Sequence, residues 1–317
     1  MATAGDQART LPGGASAARG GRASWKWRRR AVAPYLYIAP AIVFLAALEL
    51  YPIAYNVKTS LTDLNVGTYL RGTAEFVGID NYTKVLGDEA FQHSVGVSVV
   101  FTAACIFLQF FIGLALALFF VRPFPGSGTL RALLVIGWLL PGVVTGSLFK
   151  WLLDGDSGVF PYIVSSLGLG EHAWLTSPDG ALWAAVFTNV WVGIPFNMIL
   201  LLPGLQAIPH SLYEAASIDG ANAWQRFRYI TWPLLRPVTL SVLVLGVIYT
   251  FKVFDLIFVL TGGGPVDATT VMPIYIYDVS LKFFRFGEGA AASTLLLLGM
   301  LVVASVYLWL ARREESA

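Results

Sequence analysis

The stretch from Ile208 to Pro233, IPHSLYEAASIDGANAWQRFRYITWP, is polar, rich in helix-boundary signals, and set between two apolar runs of membrane-spanning length. Ser211 and Glu214 have the S-x-x-E spacing of a capping box, in which each side chain satisfies a free amide at a helix start, so a helix is expected to begin there. Asp219-Gly220 should end it, because glycine tolerates the left-handed turn at a helix C-terminus. Asn222 with Gln225 offers a second N-cap pair, and Pro233 is expected to stop the helix that follows. The segment therefore predicts a helix-turn-helix on a membrane surface. An ordinary amphipathic connector anchored by Trp224, Phe227 and Trp232 would carry similar signals.

Outward from this segment the chain is apolar. Hydrophobic residues are 56% of it and charged residues 13%, about half the usual share of a quarter, which excludes a soluble globular domain. Six runs, 33–57, 94–121, 130–153, 181–202, 234–260 and 289–311, each exceed the ~20 residues that cross a bilayer as helix. They are too long for the alternating segments of an outer-membrane barrel, so the fold class is an all-α membrane protein with six transmembrane helices. Prolines 40, 52, 141, 195 and 203 interrupt or flank these runs and are read as kinks, not boundaries. Residues 1–32 are Gly/Ala/Ser-rich and basic, a disordered tail; 33–311 form the membrane domain; 312–317 are a short C-terminal tail.

Lysine and arginine set the orientation. Fourteen fall in the N-tail, the 122–131 segment, the 208–236 loop and the C-tail, against five in the opposite loops, so both termini and the 208–233 loop are expected in the cytoplasm. Trp25, Trp27 and Arg28-Arg29-Arg30 stand where interfacial anchors belong. The first run is too long for a cleaved signal peptide and lacks a small-residue cleavage site, so it should stay as an anchor in the cell membrane. Cys105, the single cysteine, lies inside the second run and is most simply a packing residue.

Most catalytic chemistry is missing. The chain has no G-x-x-x-x-G-K-[ST] segment to cradle phosphates and hydrolyse ATP, and no cluster of acids, bases or nucleophiles at membrane depth, so no enzyme and no cofactor is expected. His93, His172 and His210 lie in or beside loops without a second ligand at metal spacing. Four ionisable residues do fall within the runs: Glu49, Lys150, Lys252 and Asp255. A charge at the bilayer centre costs about 2.5–3.5 kcal/mol on insertion scales, so each is a pathway candidate. Glu49 and Lys150 lie near the ends of their runs and can snorkel. Lys252 and Asp255, three apart, are expected to share a helix face, where they either pair internally or offer polar groups to a solute.

Glu214-Ala215-Ala216, Asp219-Gly220-Ala221, Phe227, Ile230 and Pro233 resemble the EAA loop of permease subunits in bacterial ATP-binding-cassette importers, with Trp232 in place of the usual leucine. Phe254-Asp255-Leu256-Ile257 followed by Leu260-Thr261-Gly262-Gly263-Gly264-Pro265 is similar to the span-five ending of maltose-type carbohydrate permeases. Tyr51-Pro52, Phe76-Val77-Gly78, Asp80-Asn81-Tyr82 and Gly204-Leu205-Gln206 also match that family, and the likeness covers nearly everything after residue ~33. The resemblance implies a type I importer permease core without extra N-terminal spans. It also implies as partners a second homologous permease, two ATPase subunits and an extracytoplasmic solute-binding protein, with alternating access as the mechanism.

By matched position, Glu214, Ala215, Ala216, Asp219 and Gly220 would dock the ATPase, and Gly193, Phe196, Asn197, Phe251, Lys252, Phe254 and Asp255 would line the solute path. Gly193 would let a sugar approach the backbone and Phe196 would offer it an aromatic face. Lys252 and Asp255 stand where the maltose-type subunit has neutral amides, which leaves di- or oligosaccharide, polyol and glycerol-phosphate ester all open. An ion-coupled secondary transporter, in which those two residues titrate or bind the coupling ion, is the reading from another class. The sequence shows no repeated half of the kind many such transporters have.

Overall fold

The computed structural model describes residues 37–168 and 173–315. The predicted tail 1–32, the anchors Trp25, Trp27 and Arg28 to Arg30, and His172 lie outside the described residues. The chain divides into two units, up to Tyr55 and from Asn56 onward. The first carries most of helix α1, Tyr37–Ser60, whose Ile42, Phe44, Leu48 and Leu50 are all exposed.

The second unit is helical, and among its described residues the only β pairing is a single bridge between Thr62 and Phe76. Two short helices, α2 (Val66–Arg71) and α3 (Asp80–Gly87), precede the long α4, Glu89–Phe120. Next come α5 (Ser127–Leu139), α6 (Gly142–Leu152), α7 (Val159–Ser166) and α8 (Pro178–Gln206). The 208–233 segment supplies α9 (His210–Ile218) and the start of α10, Ala223–Phe251. Short α11 (Asp255–Leu260) and α12 (Met272–Tyr277) lead to the last span, α13, Phe286–Glu315, which stays helical past residue 311. Among the described residues five helices are long and apolar enough to cross a bilayer, six if the bent pair α5–α6 is counted as one span.

Small residues decide the packing, because lipid gives apolar helices little reason to associate except close van der Waals contact. α4 and α8 form the centre. A Cβ on Gly113 would lie 2.6 Å from Cβ of Asn197, and one on Gly193 would overlap the Gln109 amide. Around this pair, Phe101, Cys105, Ala184 and Val190 bury toward one end, and Phe110, Leu114, Met198 and Leu201 toward the other. α10 joins where Gly204 accepts Leu235 and Val238 at contact distance, and where Gly246 accepts Ile106. α13 enters through Ala291 and Ala292, both fully buried against Phe91, Met272 and Tyr275.

Two spans are broken. α5 and α6 meet at 97° across Leu140-Pro141, so Pro141 is a boundary and not the kink expected of it. The physical cause is local: proline lacks an amide and pushes the preceding residue out of the α region, and Leu140 has ψ 136. Pro195 and Pro203, by contrast, lie inside an unbroken α8. The second break separates α10 from α11 at Lys252-Val253-Phe254, where Lys252 has φ −94, ψ 6 and Phe254 has φ −122, ψ −63. Neither glycine nor proline marks it. Lys252 and Asp255 therefore do not share a helix face, contrary to the sequence-based expectation, and they form no ion pair with each other.

Candidate functional site: a strapped docking helix and an aromatic wall

The 208–233 segment is built almost wholly from local hydrogen bonds. α9 starts two residues earlier than expected, with Pro209 at the N-cap and no side-chain cap, so Ser211 and Glu214 form no capping box. Glu214 instead meets His210 one turn back, Nδ1 to Oε1 at 3.0 Å. The end of α9 is as expected. Gly220 has φ +79, its amide donates to the Ser217 carbonyl at 3.2 Å, and the Ala221 amide reaches back to Ala216 O at 2.8 Å. These are the two bonds of a Schellman cap, which needs the left-handed residue that glycine provides. Asn222 and Gln225 then form the predicted capping box, with reciprocal bonds of 2.8 and 2.9 Å.

Pro233 does not stop the second helix. α10 continues through it to Phe251 because a π turn, Phe227–Thr231, precedes it, and the Trp232 amide donates to the Phe227 carbonyl five residues back. Tyr213 Oη bonds Thr231 Oγ1 at 2.9 Å, and Arg226 Nη1 donates to Ser217 Oγ at 2.9 Å, strapping α9 to α10. Glu214, Ala215, Asp219 and Gly220 are exposed and Ala216 is half-buried. Ile218 is 87% exposed, and Trp224 and Tyr229 are exposed as well. An open cleft of about 1800 Å³ runs beneath, lined by Arg122, Leu205, Ile208, Tyr213, Trp224 and Phe227.

The expected solute-path residues divide. Phe196 on α8 lies between Trp138 of α5 and Tyr249 of α10, each ring centroid 5.6 Å away. Lys252 Nζ stands 5.1 Å over the Tyr249 ring. Trp138, Phe196, Tyr249 and Lys252 thus form one continuous wall beside the breaks. Lys252 is exposed and makes no ion pair or hydrogen bond among the described residues. Trp138 and Tyr249 were missing from the sequence reading. The spacing of Tyr249 and Lys252, three apart on one helix face, was an available signal.

The others, apart from the exposed Asp255, are packed into the protein. Gly193 leaves room for Gln109, whose amide donates to Asn189 O at 3.0 Å, so its free space is filled from α4. Asn197 is 2% exposed and donates to Gly193 O at 2.9 Å within its own helix. Phe251 leans on the Phe91–Tyr275 cluster, and Phe254 stacks on Phe258 at 5.0 Å and Tyr277 at 5.3 Å. Asp255 faces α6: a Cβ at Gly142 would collide with its carboxylate. One turn on, a Cβ at Gly146 would lie 2.8 Å from the Leu256 carbonyl. The Gly142-x-x-x-Gly146 spacing, a small-residue stripe for close helix approach, was the sequence sign of this contact.

Beyond the spans, the glycine-rich ending is a tight loop. Gly262 and Gly263 take φ +64 and +96, and the hydroxyls of Thr261 and Thr269 meet at 2.7 Å. Asp154 in the α6–α7 loop has its carboxyl held below the usual range by the Ser157 amide and hydroxyl. Tyr275 is pushed up, first by burial and then by its bond to Asp88 at 2.7 Å.

A multi-pass helical core with two broken spans and an exposed, strapped helix pair at one end defines a permease subunit of the type I ABC importer class. Residues 109–316 match the family described as binding-protein-dependent transport system inner membrane component, and the chain belongs to that family. It is 37% identical to the trehalose/maltose transport system permease protein MalF of Thermococcus litoralis, over 90% of this chain and 95% of that protein. It is 35% identical to the sulfoquinovosyl glycerol transport system permease protein SmoG of Agrobacterium fabrum, over 88% and 90%. A crystal structure of a bacterial ABC transporter involved in the import of the acidic polysaccharide alginate contains a chain of the same fold. Its TM-score is 0.77 at 22% identity, covering 92% of this chain and 99% of that one.

Proposed function

We propose that this chain forms half of the translocation path of an ATP-driven, binding-protein-dependent carbohydrate importer in the cell membrane. The observation that carries the reading is the aromatic wall of Trp138, Phe196 and Tyr249 ending in Lys252. Aromatic faces suit the C–H surfaces of pyranose rings, and a few placed polar groups suit hydroxyls. The names of the relatives, trehalose/maltose and sulfoquinovosyl glycerol, support a di- or oligosaccharide-sized solute.

The chain is non-catalytic in this reading, and ATP is hydrolysed by two partner ATPases that grip α9 at Glu214, Ala215, Ala216, Asp219 and Gly220. A second homologous permease completes the path, and a solute-binding protein delivers from outside. The excess of lysine and arginine on the docking side supports a cytoplasmic position for that side and both termini. ATP-driven closure of the ATPases moves the strapped pair α9–α10 as a lever, and the wall passes from outward-facing to inward-facing. Of the second readings, polyol and glycerol-phosphate ester, the ester is favoured by Lys252, a cation without a counter-ion among the described residues.

The test is purification followed by reconstitution. The chain is expected to purify with a homologous permease and two ATPases, and vesicles of that complex with the binding protein are expected to take up radiolabelled trehalose or maltose only with ATP. Uptake of glycerol 3-phosphate in their place supports the second reading. Concentrative uptake by the chain alone, insensitive to ATP depletion, sinks both in favour of an ion-coupled transporter.

A further inference from the structure

We infer that the groove between α4 and α10 holds an anionic phospholipid, with its phosphate on Arg236 and one acyl chain lying along Phe107 and Phe111. The inference goes beyond the proposed transport function and takes from it only the leaflet, the one on the docking side. The groove has a volume of about 550 Å³ and is lined wholly by residues of these two helices. Along α10 it follows Trp232, Arg236, Thr239, Leu243 and Val247, a stripe at helical spacing that runs ~22 Å. That volume over that length is roughly 5 Å across, enough for a hydrocarbon chain and too narrow for a helix of ~10–12 Å diameter. The stripe stands roughly 130° around α10 from Tyr249, so the groove faces away from the aromatic wall and is no part of the proposed solute path.

Two independent observations set the occupant. Arg236 is the one charged residue lining the groove, it is exposed, and it has no ion pair or hydrogen bond among the described residues. It lies one turn from Trp232 at the docking end, the depth at which basic residues and aromatic rings meet headgroups. Deeper than Arg236 the lining is uncharged, and Phe107 and Phe111, 61% and 51% exposed with ring centroids 4.7 Å apart, form its rim. Closely packed spans meet through small residues, and a rim of two phenylalanines does not offer them.

The second observation is Thr239, one turn deeper than Arg236. It is 6% exposed, and its hydroxyl has no hydrogen-bond partner among the described residues. A buried hydroxyl left without an acceptor is costly. The ester carbonyls of a phospholipid lie just beneath its phosphate. Threonine has two χ1 wells open to it in a helix, so the hydroxyl is free to turn to such a carbonyl in the groove that Thr239 lines.

The experiment uses the complete complex with its copurifying subunits, in phosphatidylcholine vesicles carrying a trace of either phosphatidylglycerol or phosphatidylcholine with a photoreactive diazirine in one acyl chain. Labelled peptides of this chain are read by mass spectrometry without solute or ATP. Phosphatidylglycerol is expected to label the peptides holding Phe107, Phe111 and Leu243 at roughly fivefold the yield of the phosphatidylcholine probe, the preference that one basic residue gives an anionic lipid. Arg236→Gln is expected to erase that preference and Arg236→Lys to keep it. Thr239→Val, which keeps the shape, is expected to lower the yield from both probes at least about twofold. Ala103→Trp fills the groove from an exposed position and is expected to exclude both probes while the complex still assembles.

Equal labelling by the two lipids, a preference that survives in Arg236→Gln, or a yield untouched by Ala103→Trp overturns the inference. So does an absence of label at these peptides with the second permease cross-linked through Phe107→Cys, which makes the groove a protein interface. Transport does not enter the measurement, so a failure of the carbohydrate reading leaves its result standing.

Discussion

The docking segment and the break in span five are both short interruptions between helices, and they are held in opposite ways. At the docking segment every fixing bond but two spans five residues or fewer: the Schellman bonds of Gly220 and Ala221, the Asn222–Gln225 box, the His210–Glu214 pair. The exceptions are the Tyr213–Thr231 and Arg226–Ser217 straps, which close over the same 26-residue stretch. At the break, the geometry comes from elsewhere in the chain: Gly142 and Gly146 of α6 lie against Asp255 and Leu256. A segment that carries its own hydrogen bonds keeps its shape when its surroundings move, as a lever must. A segment shaped by a neighbour changes when the neighbour does, as the wall of an alternating path must.

The largest expected effect breaks the lever. Gly220→Val forces a β-branched residue into φ +79, although nothing lies within 4 Å of the added Cβ, so the fault is conformational and not a clash. Uptake is expected to fall more than roughly tenfold with ATP hydrolysis retained, while the complex still assembles in the membrane; near-normal uptake in vesicles would remove Gly220 from the lever.

Next in size are changes to the wall. Lys252→Ala and Phe196→Ala are each expected to lower solute-stimulated ATP hydrolysis by roughly five- to tenfold at matched expression, about 1–1.4 kcal/mol of lost transition-state binding, with assembly intact. Wild-type rates in both would make the ladder of Trp138, Phe196 and Tyr249 a packing feature only.

A smaller effect follows from loosening the straps. Tyr213→Phe removes one bond of 2.9 Å, worth about 1 kcal/mol net, and is expected to lower the ratio of uptake to ATP hydrolysis without abolishing either. An unchanged ratio in the Tyr213→Phe, Ser217→Ala double variant would show that α9 needs no strap. Glu49→Ala should change uptake least, by less than roughly twofold, since Glu49 is an exposed residue at the middle of α1 and is not one of the wall residues Trp138, Phe196, Tyr249 and Lys252. A loss as large as that of Lys252→Ala would bring α1 into the path.

The same contrast decides what was legible in the residues. Gly220 and the Asn222–Gln225 box were readable because their partners lie within a few positions. Ser211 with Glu214 misled because Pro209 opens the helix two residues sooner, which moves Ser211 off the N-cap and leaves Glu214 to His210. Pro233 misled because a π turn shifts the hydrogen bonding just ahead of it. The break at Lys252 has no local cause at all, so helical spacing put Lys252 and Asp255 on one face that does not exist. Phe196 was singled out for its aromatic face, but the rings beside it, Trp138 and Tyr249, come from two other spans and no spacing rule joins them.

The central claim is that α9 is the surface through which ATP hydrolysis elsewhere drives this chain, and a single cross-linking measurement tests it most directly. Ala215 is exposed on α9, and Cys105, the only native thiol, is completely buried, so Ala215→Cys gives one reactive site. With a short thiol-to-amine photo-cross-linker on that site in the purified complex, the account predicts a covalent product with an ATPase subunit whose yield changes when ATP is added. A product with lipid or the solute-binding protein in its place, or a yield that ignores ATP, would contradict it.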